Sequence, residues 1–166
     1  MMYQVPLYGQ KFGRSCWAAS IRMILAYNGT KVDSDNDIAF PISYGVQLQG
    51  GLQPNDTRPL KHWGLTTEAP KTYTEQGIID LVRHRGPLWV ACDVRTAGYS
   101  PSVPHVRVIR GVRDAQTPVA LMINDPSPIG LGRQYDETYE EFVRKNELLG
   151  ATEASNPNPV YIAYLA

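Results

Sequence analysis

The stretch from Gln10 to Ser20 constrains the folding of this 166-residue chain more than any other. It contains a tight loop around Gly13, and the residues after the loop carry apolar side chains at helical spacing. These apolar residues are Trp17, Ile21, Ile24 and Leu25. Asn28-Gly29 is a typical helix end. The pattern predicts an amphipathic helix whose first turn contains Cys16.

The position of Cys16 favours a reactive thiolate. Free backbone N–H groups and the positive end of the helix dipole stabilise negative charge in a first turn, and the thiolate is the nucleophilic form of cysteine. The Gly13 loop returns Gln10 to the helix start, where its amide N–H and the backbone N–H of Cys16 would hold an oxyanion. A lone cysteine is more often a buried apolar residue, so this hypothesis needs support from the rest of the chain.

Length and charge limit the classes of protein to which this chain can belong. We expect one domain over residues 1–166 with a sizeable core. Zero net charge and a pI near 6.8 indicate no nucleic-acid partner and no polybasic membrane contact. No apolar run approaches the ~20 residues that span a bilayer, and no signal peptide is recognisable at the N-terminus. We expect a soluble protein, cytoplasmic in its producer or delivered into a target cell by a route other than Sec.

The cysteines and histidines predict neither a disulfide framework nor a metal site. Cys16 begins a predicted helix and Cys92 ends a predicted buried strand, Leu88 to Cys92, so we expect Cys92 to pack in the core. The histidines lack zinc-ligand spacing, and we expect no metal and no cofactor. His62 is interpreted as solvated or partly packed, and His84 as complementing the dipole at a helix end.

Other local signals place the remaining elements. The predicted helices are Asp33 to Phe40 with Ser34 or Asp35 as cap, Leu60 to Trp63 ended by Gly64, and Glu75 to about His84 capped by Thr74. Residues 41–58 show little regular structure and are a candidate rim for a substrate cleft. We expect a polar loop over residues 146–159 and a last strand from Val160 to Leu165.

The segment between the last predicted strands carries several acidic residues. Gly132 to Asp136 is interpreted as a strand, and Thr138 with Glu141 as a capping box that starts a helix. Capping and the helix dipole account for the whole acidic set without paired catalytic carboxylates. The set is Asp136, Glu137, Glu140 and Glu141.

The second informative region is a predicted hairpin. One strand runs from His105 to Val112, and its antiparallel partner runs from Val119 to Pro126. Antiparallel pairing brings the start of the first strand beside the end of the second, and so His105 beside Asp125. A carboxylate there would orient the imidazole and fix its tautomer.

These residues resemble the papain-like cysteine peptidases. The resemblance is carried by Gln10, five intervening residues, Cys16-Trp17, a histidine before alternating valines, and Asn124-Asp125-Pro126. The order of elements is most similar to the compact bacterial branch that includes type III effector peptidases and, more distantly, double-glycine leader peptidases. This resemblance implies an α+β fold in which an N-terminal catalytic helix packs against a C-terminal antiparallel β-sheet.

The resemblance also implies residue roles. Cys16 would be the nucleophile, His105 the general base and acid, Asp125 the residue that orients His105, and Gln10 an oxyanion donor. Plant-type enzymes use an asparagine as the third residue, whereas the compact branch generally uses the aspartate of an Asp-Pro pair. We therefore favour Asp125 and keep Asn124 as the alternative.

The resemblance implies an endopeptidase that uses a Cys-His-Asp triad on a protein substrate. It also implies the biological setting of a bacterial effector or toxin, which a dedicated inhibitor or immunity protein would restrain. A cysteine amidase or acyltransferase acting on a non-protein or cell-wall amide would use the same groups. A double-glycine leader peptidase is disfavoured because no membrane segment accompanies it. A catalytically dead papain-like binding module remains as a further alternative, and it would not need all four residues.

Overall fold

The computed structural model describes residues 1–42, 47–95, 101–152, 155 and 159–166. The helices are α1 (Cys16–Tyr27), α2 (Asp35–Ala39), α3 (Gln47–Gly50), α4 (Arg58–His62), α5 (Glu75–Arg85) and α6 (Tyr139–Thr152). The strands are β1 (Leu65–Thr67), β2 (Leu88–Asp93), β3 (Pro104–Arg113), β4 (Ala120–Asp125), β5 (Arg133–Thr138) and β6 (Ile162–Leu165).

Helix α1 confirms the prediction made from its apolar spacing. It begins at Cys16 and ends at Tyr27, with Asn28 as C-cap and Gly29 in the left-handed region at φ 83°. Its apolar residues are almost completely buried, Trp17 and Ile24 being each 1% exposed. The helix is therefore a core element, which fixes the position of its first residue relative to the sheet.

In the described part of the chain, the strands form one six-stranded antiparallel sheet in the order β1-β6-β2-β3-β4-β5. The predicted hairpin is confirmed: in the β3–β4 pair, Val108 lies opposite Asn124 and Arg113 opposite Ala120. A register shift between Ile109 and Gly111 marks a bulge in β3. The pairing leaves the first residues of β3 beside the last residues of β4.

Alternating side chains of the sheet enter two separate cores. Trp89 of β2 and Val108 of β3 pack with the apolar residues of α1 and α2. Their neighbours Val90 and Ile109 belong to a second cluster with residues of α5 and α6. Because successive strand residues point to opposite faces, the sheet has helices on both sides. This arrangement confirms the predicted α+β class, with an N-terminal helix against an antiparallel sheet.

The capped helices also follow the sequence. The Ser34 hydroxyl accepts the N–H of Asp37 at the start of α2. The Thr74 hydroxyl accepts the N–H of Gly77 at the start of α5. Gly64, at φ 78°, directly follows Trp63, the C-cap of α4. Local side-chain capping is thus sufficient to locate these helix ends.

Two predictions about irregular segments were wrong, and one strand was missed. Residues 41–58 contain α3 and the end of a 3₁₀ turn at Phe40–Ile42, although positions 43–46 lie outside the described residues. The expected loop at 146–159 is helical as far as Thr152, because Leu149 is buried and extends the packed side of α6. Strand β1 was not predicted, since its three residues form a strand only by pairing with β6.

Candidate active site

A cavity of about 730 Å³ opens where the start of α1 faces the first residues of β3 and the last residues of β4. Gln10, Cys16, His105 and Asp125 all line it. One side includes the segment from Gly50 to Pro54, part of the stretch expected to form a cleft rim. The structure therefore brings the four sequence-predicted residues together around one space.

Cys16 is the first residue of α1 and is 9% exposed. The backbone N–H groups of a first helical turn have no acceptor within the helix, and the helix dipole adds positive potential there. Cys16 therefore lies at the end of α1 that carries free N–H groups and positive potential. Cys16 is also a free cysteine, so its thiol is available for chemistry.

His105 and Asp125 form a short hydrogen bond across the β3–β4 pair. The distance from His105 Nε2 to Asp125 Oδ1 is 2.6 Å. The Cys16 side chain is close enough to the same imidazole to raise its pKa, and because Nε2 is engaged by Asp125, Nδ1 is the ring nitrogen that remains for the thiol. The three side chains thus lie in the order thiol, imidazole, carboxylate, with His105 held from both sides.

The surroundings shift the pKa values of this pair in opposite directions. Burial lowers the pKa of His105, but hydrogen bonds with Asp125 and Cys16 and their charges outweigh burial and raise it to about 9. Burial raises the pKa of Asp125, whereas its hydrogen bond from His105 and the imidazolium charge lower it to about 2. A charged imidazolium beside a carboxylate is therefore the favoured state at neutral pH.

Asp125 accepts hydrogen bonds from several directions. Oδ1 also accepts the backbone N–H of Ser127 at 2.9 Å, and Oδ2 accepts from Arg133 at 3.2 Å. The hydroxyl of Tyr135 lies 3.3 Å from Oδ2. Arg107 donates to the same hydroxyl at 2.8 Å, so the hydroxyl hydrogen is free to point at Asp125. The carboxylate is held in one orientation and has little freedom to rotate.

A buried ion cluster lies behind Tyr135. Arg107 has a fully buried side chain and forms two hydrogen bonds with Glu137, at 2.7 and 3.1 Å. Lys145 of α6 also pairs with Glu137. Our sequence interpretation assigned Glu137 to capping and dipole effects, and this was wrong for that residue. The signal in the sequence was Arg107, a basic residue among the apolar residues of β3, because such a residue needs a buried partner of opposite charge.

Gln10 is 4% exposed, and its amide faces the cavity. Nε2 donates to the Phe12 carbonyl at 2.7 Å, which leaves its second N–H free for a substrate oxygen. The backbone of Gln10 is also fixed, because its N–H donates to Pro126 O and its carbonyl accepts from Gly130, each at 2.9 Å. This anchoring joins Gln10 to the loop that follows Asp125.

Asn124 lies apart from His105. Its Nδ2 donates to the carbonyls of Val5 and Pro6 at 3.1 and 3.3 Å, and its Oδ1 accepts from Gln134 at 2.9 Å. The side chain is completely buried among these partners. Of the two adjacent residues left open by the sequence, Asp125 is the one in contact with the imidazole.

The other cysteine and histidines take positions outside this arrangement. Cys92 is fully buried in β2, and burial raises the pKa of its thiol to about 11. The Nδ1 atom of His84 lies 2.7 Å from the carbonyl of Asp80, one turn earlier in α5. The ring of His62 has an edge contact with Trp63. Within the described residues, no three acidic, histidine or cysteine side chains are grouped to bind a metal ion.

Comparison with solved structures identifies the fold. A double-glycine motif protease from an AMS/PCAT transporter, solved in complex with the leader peptide, is similar over 99% of this chain and 91% of that chain. The TM-score is 0.58 and the sequence identity is 19%. At this level of identity the likeness shows that the two chains share a fold.

Residues 1–147 match the family described as papain-like cysteine protease AvrRpt2. The chain belongs to this family, and it is a cysteine peptidase, as the sequence resemblance predicted. Among curated proteins, none matches the chain in sequence. None of the helices in the described part of the chain has the length and apolar character needed to cross a bilayer.

Proposed function

We propose that residues 1–166 form one endopeptidase domain in which Cys16, His105 and Asp125 act as a catalytic triad on protein substrates. The observation that carries this proposal is the 2.6 Å hydrogen bond from His105 Nε2 to Asp125 Oδ1, with Cys16 on the other side of the ring. Nucleophilic catalysis by cysteine needs a base within hydrogen-bond reach and a third group that orients the base.

The first half-reaction forms an acyl-enzyme. The Cys16 thiolate attacks the carbonyl carbon of the scissile peptide bond, and the carbonyl electron pair moves onto oxygen. Gln10 Nε2–H and the backbone N–H of Cys16 donate to this oxyanion. When the intermediate collapses, the C–N bond breaks, and His105 gives its Nδ1 proton to the departing amine.

The second half-reaction releases the acid product. His105, now neutral, takes a proton from water, and the resulting hydroxide adds to the thioester carbon. The same two donors hold the second oxyanion. Collapse breaks the C–S bond, and the thiolate–imidazolium pair of Cys16 and His105 is restored. Asp125 stays ionised throughout and stabilises the imidazolium.

A comparison of protein N-termini tests the reaction. A bacterial lysate is treated with the wild-type protein or with Cys16→Ala, and new N-termini are identified by mass spectrometry. We expect a small set of cleavages that share flanking residues and require Cys16. Equal cleavage by Cys16→Ala would refute the nucleophile assignment.

One outcome of this experiment favours the second candidate reaction. A correctly folded protein that makes no Cys16-dependent cleavage would point to an amidase or acyltransferase that acts on a non-protein or cell-wall amide. The shared chemistry is nucleophilic attack by Cys16 on an acyl carbon, so a hydroxylamine trap for the thioester separates these enzymes from a domain that only binds. A hydroxamate forms only if the substrate has first acylated Cys16.

Gln10 is tested by substitution with alanine. Gln10→Ala should lower kcat by roughly 100- to 1,000-fold, the usual cost of losing one oxyanion donor. KM should change little, because the oxyanion exists only after attack. Unchanged kcat in the folded variant would remove Gln10 from the mechanism.

The biological setting we propose is a bacterial effector or toxin that cleaves proteins inside a target cell, reaches it by a secretion route other than Sec and is restrained by a dedicated inhibitor. The resemblance to type III effector peptidases supports this setting, and the leader peptide bound by the structurally similar double-glycine motif protease supports a protein substrate. Expression without the inhibitor should then be toxic to cells containing the substrate, and Cys16→Ala should be harmless. High-level expression of active protein without toxicity in several hosts would contradict it.

A further inference from the structure

The loop between the oxyanion donor and the nucleophile is held by a residue from another helix. Asp35, the first residue of α2, is 1% exposed, and its Oδ2 accepts two hydrogen bonds from this loop. One comes from the backbone N–H of Lys11 at 2.8 Å and the other from the Ser15 hydroxyl at 2.6 Å. These donors lie directly after Gln10 and directly before Cys16.

The hydrogen atoms available at each donor determine the directions of these hydrogen bonds. The Ser15 oxygen accepts the N–H of Phe12 at 3.0 Å, so its own hydrogen is available for the Asp35 carboxylate. Phe12 is in turn the residue whose carbonyl accepts from Gln10 Nε2 at 2.7 Å. A continuous path of hydrogen bonds therefore runs from Asp35 through Ser15 and Phe12 to the amide that faces the cavity.

Two observations separate this arrangement from ordinary helix capping. Ser15 occupies the N-cap position of α1 and yet makes no side-chain cap bond, because its hydroxyl is engaged with Asp35 and Phe12. Asp35 could complement the dipole of α2 from an exposed position. It is buried instead, and its Oδ1 has no hydrogen-bond partner. Burial of a half-satisfied carboxylate opposes stability, so dipole and capping effects do not account for its placement.

The Asp35 contacts complete the restraint on Gln10. The loop after Asp125 holds the N–H and the carbonyl of Gln10 through Pro126 and Gly130. The next peptide N–H, that of Lys11, is held by Asp35. Without the carboxylate, the loop around Gly13 would be free to move the Gln10 amide away from the developing oxyanion. A displacement of about 1 Å is enough to lose a large part of a catalytic interaction.

We propose that Asp35 is a positioning residue for the oxyanion hole: it fixes the Lys11–Ser15 loop so that Gln10 Nε2–H meets the oxyanion. The proposal rests on the proposed function, since it requires Gln10 to be an oxyanion donor. Asp35 acts on the transition state through Gln10 and does not touch substrate. Its loss should lower kcat and leave KM nearly unchanged.

The test is a double-mutant cycle on a peptide that spans one of the Cys16-dependent cleavage sites. In the wild-type background, Asp35→Ala should lower kcat about 10- to 100-fold. In the Gln10→Ala background, the same change should cost less than about 3-fold, because the group it positions is already absent. Equal losses in both backgrounds would overturn the proposal.

The rate at which iodoacetamide alkylates Cys16 distinguishes a positioning role of Asp35 from a general structural defect, because a structural defect would slow the alkylation. This reaction needs the thiolate–imidazolium pair but no oxyanion hole. Asp35→Ala should therefore alkylate at the wild-type rate while its peptide hydrolysis falls. A parallel loss of both reactions would show that Asp35 supports the fold or the Cys16–His105 pair instead, and would refute the proposal.

Three further variants serve as controls, and they keep the proposal testable if Asp35→Ala does not fold. Ser15→Ala removes one of the two contacts and should lower kcat in the same sense by a smaller factor. Asp35→Asn keeps an oxygen that accepts both donors and should retain most activity, whereas equal loss in Asn and Ala variants would count against the positioning role. Asp37→Asn is the matched control, since Asp37 is an exposed carboxylate of the same helix that pairs with Ser34.

The outcomes also separate this proposal from the proposed function. If no Cys16-dependent hydrolysis exists, both proposals fail. If Gln10→Ala is fully active, the triad stands, and the role of Asp35 falls together with that of Gln10. If Gln10→Ala is impaired but Asp35→Ala lowers kcat equally in both backgrounds, the oxyanion role of Gln10 is supported and the positioning role of Asp35 is refuted.

Discussion

His105 holds its proton more tightly than an ordinary histidine, and under the proposed mechanism we expect this to set the upper pH limit for activity. Its pKa is raised from 6.5 to about 9 because Asp125 and Cys16 outweigh the effect of burial. A group with a raised pKa is protonated below that value. The imidazolium that protonates the amine in the proposed mechanism therefore persists to about pH 9 and is lost above it.

Removal of the carboxylate should move this limit. In Asp125→Ala, a main cause of the raised pKa is gone, and the alkaline limb of kcat/KM should shift from near pH 9 toward neutral pH. A pH profile of peptide hydrolysis for the two proteins measures the shift. An unchanged alkaline limb would mean that Asp125 does not control the charge of His105.

The choice between Asn124 and Asp125 can be tested by comparing two variants. Asp125→Asn removes the charge beside the imidazole and should reduce kcat at least about 10-fold more than Asn124→Ala. Asn124→Ala should instead destabilise the fold by about 1–3 kcal/mol, since it leaves the buried carbonyl of Val5 without its partner. Kinetics and urea denaturation of both variants give the ranking, and the reverse order would assign Asn124 as the third residue.

At the scale of elements, the contact between β5 and α6 depends on the buried cluster around Glu137. Glu137→Gln removes the negative charge between Arg107 and Lys145, which leaves two cations with little solvent access. Breaking such a pair from one side costs about 3–5 kcal/mol of unfolding free energy. Urea denaturation should detect this loss.

A matched change on the surface of α6 provides the control. Glu141 forms ion pairs with Arg144 and Lys145, but its side chain is 42% exposed. Because solvent screens such pairs, Glu141→Gln should change the unfolding free energy by about 0–1 kcal/mol. Equal effects of the two substitutions would show that the Arg107–Glu137 pair contributes no more than a surface ion pair.

At the scale of the whole molecule, the active site lies between two parts of the fold. Helix α1 supplies Cys16, and the sheet supplies His105 and Asp125. One direct link between them is the Trp89 indole, whose Nε1 donates to the Trp17 carbonyl at 3.2 Å. The separation of thiol and imidazole therefore depends on how α1 docks on the sheet.

Trp89→Phe should weaken that docking. We expect a loss of about 1–3 kcal/mol in stability and about 10-fold slower alkylation of Cys16 by iodoacetamide, because small displacements strongly affect reacting pairs. Trp63→Phe is the control, since its indole donates to Ile38 O at 2.9 Å, between α4 and α2. It should cost similar stability and leave the alkylation rate unchanged, and slower alkylation in both variants would indicate a general effect of destabilisation.

Local sequence signals were sufficient for the elements whose causes are local. The apolar spacing and the Asn28-Gly29 end predicted α1, and side-chain caps predicted α2 and α5. The resemblance to papain-like peptidases correctly indicated the fold and the family. The same sequence failed at β1 and in the second half of α6, where the deciding interactions are with residues distant in the chain.

The sequence by itself determined that a helix would begin at Cys16 and that a hairpin would bring the start of β3 beside the end of β4. Only the tertiary structure decided which of Asn124 and Asp125 meets His105, because adjacent strand residues point to opposite faces and the register selects the face. It also decided the partners of Asp35 and Arg107. A buried charge is satisfied by whatever the fold brings near it, and no local pattern encodes that neighbour.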